Sequence, residues 1–265
     1  MALAERLESV NLDKRARNIR ILTIDIERAP GVAYFWDPKT DYITPDKMIS
    51  ASRTICFAAK WLGDKNVIVE DERDGHEPMI RAAWDLLTEA DVVITYNGDR
   101  ADIPWLNEHF ADYGLGPAAP FKSVDLIKTN RRQFKLPYRR LDYLAGRYMG
   151  ESKHHTDFSL WKGCMDGDGA SWDKMLAYNA QDTKLTERVY LRLLPWLVDQ
   201  PHIGVLSGVP AEWTCPRCGS DKITKQEKVA NAFVRQYSLY RCTNCKGWLR
   251  DQFLVGQPVR TRVVR

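Results

Sequence analysis

The 265-residue sequence contains no run of 18 or more apolar residues, so no segment reads as a membrane-spanning helix. Its opening stretch, MALAERLESVNLDKRARNIR, is polar and charged and lacks the apolar centre of a secretory signal. A cytoplasmic protein of bacterial or phage type, with no membrane partner, is the expectation. Cysteine is scarce. There are six, too few for a disulfide scaffold, and four of them fall in two close pairs near the C-terminus. Internal repeats and low-complexity tracts are missing as well, which sets aside solenoids and disordered arrays.

What is present is enough apolar content, 44%, for one large domain and a small one. Charge is unevenly placed. Residues 201–265 hold 11 Lys and Arg against 4 Asp and Glu, whereas residues 1–200 hold 28 against 31. A basic tail on a slightly acidic body points to an anionic partner for the tail, with nucleic acid the commonest.

Alternation predicts strands at Arg20–Glu27, Arg53–Leu62 and Asn66–Glu70, the last two joined by a turn at Gly63 and Asp64. EPMIRAAWDLLTEA carries a helical stripe, DVVITYNG reads as a buried strand, and DIPWLNEHFADYG as a helix with Asp102 as N-cap and Gly114 as its stop. A short strand is expected at Ser123–Leu126, a helix in RRLDYLAGRYMG closed by Gly150, and a long helix from Trp172 to about Leu194. Residues 1–19 read as a helix or an arm. A linker with Pro201, Gly204, Gly208 and Pro210 separates an expected first domain, 1–200, from a β-rich second domain, 201–265. The fold class is α/β, a mixed sheet flanked by helices plus a small β-rich module.

The strand ILTIDIERAP holds two acids. Asp25 and Glu27 are two residues apart, so they share a face, roughly 6.6 Å apart at about 3.3 Å rise per residue. Ile24 and Ile26 take the opposite face. Two ionised acids held together repel, and a hard divalent cation between them resolves the conflict. A strand end reaching solvent, or neutralisation by Arg28, resolves it too. Asp102 sits at a strand–helix junction, where it serves equally as a cap. Tyr178 and Asp182 are four apart on one helical face, in a stripe continued by Leu185 and Val189; a hydrogen bond between the two is the plainer reading.

Taken together, DIE, then N-x4-D-x-P, then Y-x3-D resemble the three motifs of the DEDD exonuclease superfamily in its tyrosine form, the form found in the proofreading domains of family B DNA polymerases and in stand-alone relatives. The order matches, with 75 residues from Glu27 to Asp102 and 80 from Asp102 to Asp182. The stretch LPYRRLDYLAGRYMGESKHHTDF is similar to the segment between motifs two and three of those domains. The resemblance covers about residues 18–197. One departure is Ala101, where that family usually has Phe before the aspartate; Asp99 is thereby a competitor of Asp102, although IPWL after Asp102 keeps the family register.

The resemblance implies a ribonuclease-H-like fold and a metal-dependent 3′–5′ exonuclease acting on DNA, with exoribonuclease, structure-specific nuclease and non-catalytic binding protein as alternatives. It implies two Mg²⁺ or Mn²⁺ ions, with Asp25, Glu27 and Asp182 on one, Asp25 shared with a second, Asp102 acting on the second partly through water, and Tyr178 orienting the attacking water. Two metals suit phosphodiester hydrolysis because they stabilise both the attacking and the leaving oxygen. Asn97, Tyr96 and the basic stretch KTNRRQFKLPYRR, with Arg131, Arg132, Lys135, Arg139 and Arg140, are candidate contacts to a single-stranded 3′ end of DNA or RNA; a solvated basic loop is the alternative. Lys153 is a further phosphate candidate. His154 and His155 read as loop residues.

CPRC (Cys215, Cys218) and CTNC (Cys242, Cys245) are two C-x2-C pairs with 23 residues between them. Four thiolates so spaced suit one structural Zn²⁺ in a zinc ribbon. Cys56 and Cys164 read as ordinary reduced thiols. The ribbon is expected to grip nucleic acid, a replication or repair protein being the competing partner.

Overall fold

The computed structural model describes residues 19–150, 156–207, 213–232 and 235–255. Residues 1–18 of the expected arm at 1–19, together with Lys153, His154 and His155, lie outside the described residues. The chain falls into two compact units. One comprises residues 20–127 and 138–187; the other joins Ile19 and 128–137 to the described residues from 188 onward.

The first unit is built on a five-stranded mixed sheet in the order β5–β4–β1–β6–β7. Its strands are β1 (Ile21–Ala29), β4 (Arg53–Trp61), β5 (Ile68–Asp71), β6 (Val92–Thr95) and β7 (Lys122–Asp125). β1 runs antiparallel to β4 and parallel to β6. A small hairpin of β2 (Val32–Ala33) and β3 (Met48–Ser50) lies between β1 and β4 in sequence, and the loop it closes exposes Tyr34, Phe35, Trp36 and Tyr42.

Alternation along β1 decides which helices cover which face. Leu22, Ile24 and Ile26 form one core with Phe57, Ala59 and Trp61 of β4. Onto it pack Met79, Ile80, Ala83 and Leu87 of α1 (His76–Glu89) and Leu106 and Phe110 of α2 (Asp102–Asp112). The apolar stripe of α1 at i, i+3 and i+4 spacing is what buries it there. The opposite face packs Ala29, Ile55 and Cys56 against α5 (Phe158–Met165) and α6 (Gly169–Leu193), through Leu160, Cys164, Trp172 and Met175. β4 carries one extra residue there: Glu27 pairs with Cys56 and Arg28 with Thr54, leaving Ile55 without a partner. Such a bulge bends the strand and re-aims its side chains, and it brings both Ile55 and Cys56 into the second core.

α3 (Leu126–Gln133) and α5 were not expected from the sequence. The described inner residues of α3 include Thr129 and Asn130, polar yet buried, so no apolar stripe marks it. α5 contains Gly163, where an added Cβ would sit 2.1 Å from Ser171 Oγ; the glycine that hides the helix permits its close approach to α6. α4 (Leu141–Met149) ends at Gly150 in the left-handed conformation, φ 71°, as its stop residue requires.

In the second unit a short helix, α7 (Ile203–Leu206), precedes a three-stranded antiparallel sheet of β8 (Ile223–Ala232), β9 (Arg235–Cys242) and β10 (Trp248–Leu254), β9 being central. The division between units falls after Glu187, inside α6 and upstream of the proline- and glycine-containing linker.

Candidate functional site

β1 presents Asp25 and Glu27 on the face turned towards α5 and α6, and α6 turns Asp182 towards the same place. A carboxylate oxygen from each of Asp25, Glu27 and Asp182 lies within 4.8 Å of the others. Asp182 is buried, and the two strand acids are half-buried. Three carboxylates this close repel strongly unless a cation sits among them, and an all-oxygen donor set suits Mg²⁺ or Mn²⁺.

Asp102 reaches the strand from the other side of the chain. It is the first residue of α2; Ala101 holds the N-cap position with no side-chain bond, which corrects the expected capping role. The Asp102 carboxylate accepts a hydrogen bond from the Ile26 backbone N–H at 3.2 Å, between the two strand acids in sequence. Burial pushes its carboxyl up to about 6, against the pull of that N–H and reinforced by the charge of Asp125. A nearby cation would return it to the ionised form.

The turn ahead of α2 is tightly specified. Asn97 adopts a left-handed φ of 72° and its N–H donates to Asp125 Oδ1 at 2.7 Å. At Gly98 an added Cβ would lie 2.4 Å from Thr95 Cβ, so only glycine fits. Asp99, the competitor of Asp102, accepts from the Ser123 hydroxyl and is not among the three grouped acids. Asp125, buried at the end of β7 with its carboxyl raised by burial, was not singled out in the sequence; it anchors the turn through Asn97 and Ile127.

Sequence reasoning also missed Asn179, one residue beyond Tyr178. It is fully buried. Its Nδ2 donates to Asp25 Oδ2 at 2.7 Å and to the Asp25 carbonyl at 3.2 Å, while its Oδ1 faces Cys56 Sγ at 3.9 Å. Burial and the charges of Glu27 and Asp25 hold the Cys56 thiol protonated, so it remains a donor. The next two positions on that helical face continue the pattern. Thr183 Oγ1 donates to the Ala58 carbonyl at 3.1 Å, and Glu187 takes two 2.7 Å bonds from Lys60. Asn179, Thr183 and Glu187 rise in steps of about 6 Å along the helix; Cys56, Ala58 and Lys60 rise in steps of roughly 6.6 Å along β4. The two ladders match, which fixes α6 against the strand.

Tyr178 is buried, with its ring edge-on to Trp161 at 6.2 Å. It lines a cleft of about 430 Å³ with Ser159, Leu160, Ser171 and Lys174, a volume within the usual small-ligand range of about 300–1,000 Å³. Of the other candidates, Tyr96 donates its hydroxyl to the Arg139 carbonyl at 2.6 Å, and Arg131, Arg132, Lys135, Arg139 and Arg140 are exposed. The basic stretch is not one loop: Arg131 and Arg132 lie in the last turn of α3, and the stretch divides between the two units after Pro137.

Residues 50–194 match the RNase H superfamily. The chain belongs to the RNase H superfamily. The matched span includes Asp102, Tyr178 and Asp182 and begins after the strand that carries Asp25 and Glu27. Among solved structures, the family B DNA polymerase from the hyperthermophilic archaeon Pyrobaculum calidifontis is similar at a TM-score of 0.52 and 18% identity, over 84% of this chain and 33% of that one. The likeness is one of fold, and this RNase H superfamily chain corresponds to about a third of the polymerase chain. No curated protein matches it. No helix among the described residues is long and apolar enough to cross a membrane.

The cysteines form a second cluster. Cys215, Cys218, Cys242 and Cys245 are buried and unbridged, with Sγ atoms within 4.8 Å of one another. Two of the spacings are 3.6 and 3.7 Å. A tetrahedral Zn²⁺ with Zn–S bonds of about 2.3 Å requires edges of about 3.8 Å, so the donor set fits that ion. Each pair sits in a turn of the same form: the residue after its second cysteine, Gly219 or Lys246, is left-handed, with φ of 74° and 64°.

Proposed function

We propose that this protein is a metal-dependent 3′–5′ exonuclease that removes nucleotides from a single-stranded 3′ end of DNA. The observation that carries the reading is the grouping of Asp25, Glu27 and Asp182, with Asp102 bonded to the backbone N–H between the strand acids. Asp25, Glu27 and Asp182 would hold one divalent ion, and Asp25 and Asp102 a second. Such ions, when bound, supply an activated water and neutralise charge on the leaving oxygen. The chain's own side chains do the rest. A tyrosine hydroxyl is a poor base at neutral pH; the part of Tyr178 is to orient the attacking water. The cleft beside it takes the terminal nucleotide, with Lys174 at its wall supplying positive charge. The four cysteines hold one Zn²⁺ that stabilises the C-terminal ribbon, worth on the order of 10 kcal/mol in so small a module.

The test is incubation of 5′-labelled single-stranded DNA, and a matched RNA oligomer, with Mg²⁺ or Mn²⁺ beside an Asp182→Ala control. The expected result is a ladder shortening from the 3′ end that the control does not produce. No shortening of either oligomer, or cleavage of a circular single strand, would overturn the reading.

A further inference from the structure

The β8–β9–β10 sheet has two faces of different character. Residues paired directly across antiparallel strands share a face. Tyr240 pairs with Leu249 and Lys225, and Cys242 shares its parity on β9. This face holds the cysteine cluster and the contact between Trp213 and Tyr240 at 4.9 Å. The other face carries Tyr237, Leu239 and Arg241 of β9, with Trp248 opposite Arg241 and Arg250 opposite Leu239 on β10.

On that outer face arginines and aromatic rings alternate. The Arg241 guanidinium lies 4.9 Å from the centre of the Trp248 ring, and that of Arg250 lies 4.4 Å from the Tyr237 ring. Both arginines are exposed, and Trp248 keeps 45% of its surface open. From Trp213 to Val255 there are eight Lys and Arg against three Asp and Glu. Here cationic groups are interleaved with the rings, which is the composition that receives a polyanion with stacking bases.

We infer that the outer face of this sheet binds single-stranded nucleic acid, with a base stacked on Trp248 and phosphates at Arg241 and Arg250. It rests on the nucleic-acid substrate proposed above, and adds a contact surface on the zinc-ribbon sheet, formed by residues other than the grouped acids.

The experiment uses the full, zinc-loaded chain carrying Asp182→Ala, so that cleavage plays no part in the readout and failure of the nuclease reading leaves the result interpretable. Binding of a fluorescein-labelled oligothymidylate is followed by anisotropy across a salt series. Arg241→Ala with Arg250→Ala should weaken binding about tenfold and lower the slope of log affinity against log salt by about 1.4, at roughly 0.7 per phosphate contact. Trp248→Ala should weaken it at least about fivefold with little change of slope, and Trp248→Phe should restore most of it. Zinc content is measured in each variant; if the alanine pair loses zinc, the Arg241→Gln, Arg250→Gln pair is read instead. Unchanged affinity and slope in an arginine pair that keeps its zinc would overturn the inference, as would full affinity in Trp248→Ala.

Discussion

At the scale of single residues, the buried amide of Asn179 sets the direction of Asp25. One side of the amide donates to the carboxylate and the other faces a protonated thiol, so the side chain cannot flip without losing both contacts. Groups that orient a metal ligand in this way typically contribute about 10–100-fold to metal affinity. Asn179→Leu is therefore expected to weaken Mn²⁺ binding by about tenfold or more in calorimetry, and unchanged affinity would show that Asp25 needs no such support. A second residue-scale device is the histidine pair between α1 and α2. His76 Nε2 donates to the Thr54 carbonyl and its Nδ1 accepts from the Tyr113 hydroxyl, while His109 Nε2 accepts from the Thr54 N–H. Burial and the neighbouring His76 lower the His109 pKa, partly opposed by Glu108 and Asp112. Below about pH 6.5 the unfolded chain takes up a proton that the folded chain refuses, so this contribution is present above that pH and is lost as the pH falls. The urea midpoint should drop between pH 7.5 and pH 5.5, and less steeply in His109→Gln, which retains an acceptor for Thr54; equal slopes would contradict this.

At the scale of elements, the catalytic candidates depend on the rotation of one helix about its axis. Tyr178 and Asp182 each precede by one residue a member of the polar ladder Asn179, Thr183 and Glu187 that grips β4. The Lys60–Glu187 pair closes the ladder, with side chains only 9% and 12% exposed. Removing one partner of such a pair leaves a buried charge, at a cost of about 3–5 kcal/mol, whereas replacing both with apolar groups is often nearly neutral. Lys60→Met should lower the free energy of unfolding by about that amount, and Lys60→Met with Glu187→Met should recover most of it; two additive losses would show that the pair does not act as a unit. These elements also show what the sequence made legible. β1, β4, α1 and α6 were readable because each buries a simple apolar period against a partner. The acids on β1 were conspicuous because they break that period. Asn179 was not, because an asparagine beside a motif tyrosine carries no pattern until β4 is placed against it. Local context alone reads Asp102 as a cap, and its metal role comes only from the resemblance; the bond from the Ile26 N–H to its carboxylate is visible only in the fold. α3 and α5 were hidden by polar inner residues and by Gly163.

At the scale of the whole molecule, the chain combines an RNase H superfamily unit with a small β-rich region holding four clustered cysteines, and among the described residues each part contains a cluster whose donors suit one class of metal: carboxylates for a hard cation, thiolates for zinc. The cysteine cluster was legible in full from its spacing, since two C-x2-C pairs have few other uses. The acid cluster required three distant motifs to be read together, because each acid alone has an ordinary structural explanation. The account stands on the acid cluster being a divalent-cation site, and calorimetric titration of the zinc-loaded protein with Mn²⁺ addresses it directly. The account predicts saturable binding approaching two ions per chain, abolished when Asp25→Asn and Asp182→Asn are combined. Binding heats no different from those of that double variant would contradict it.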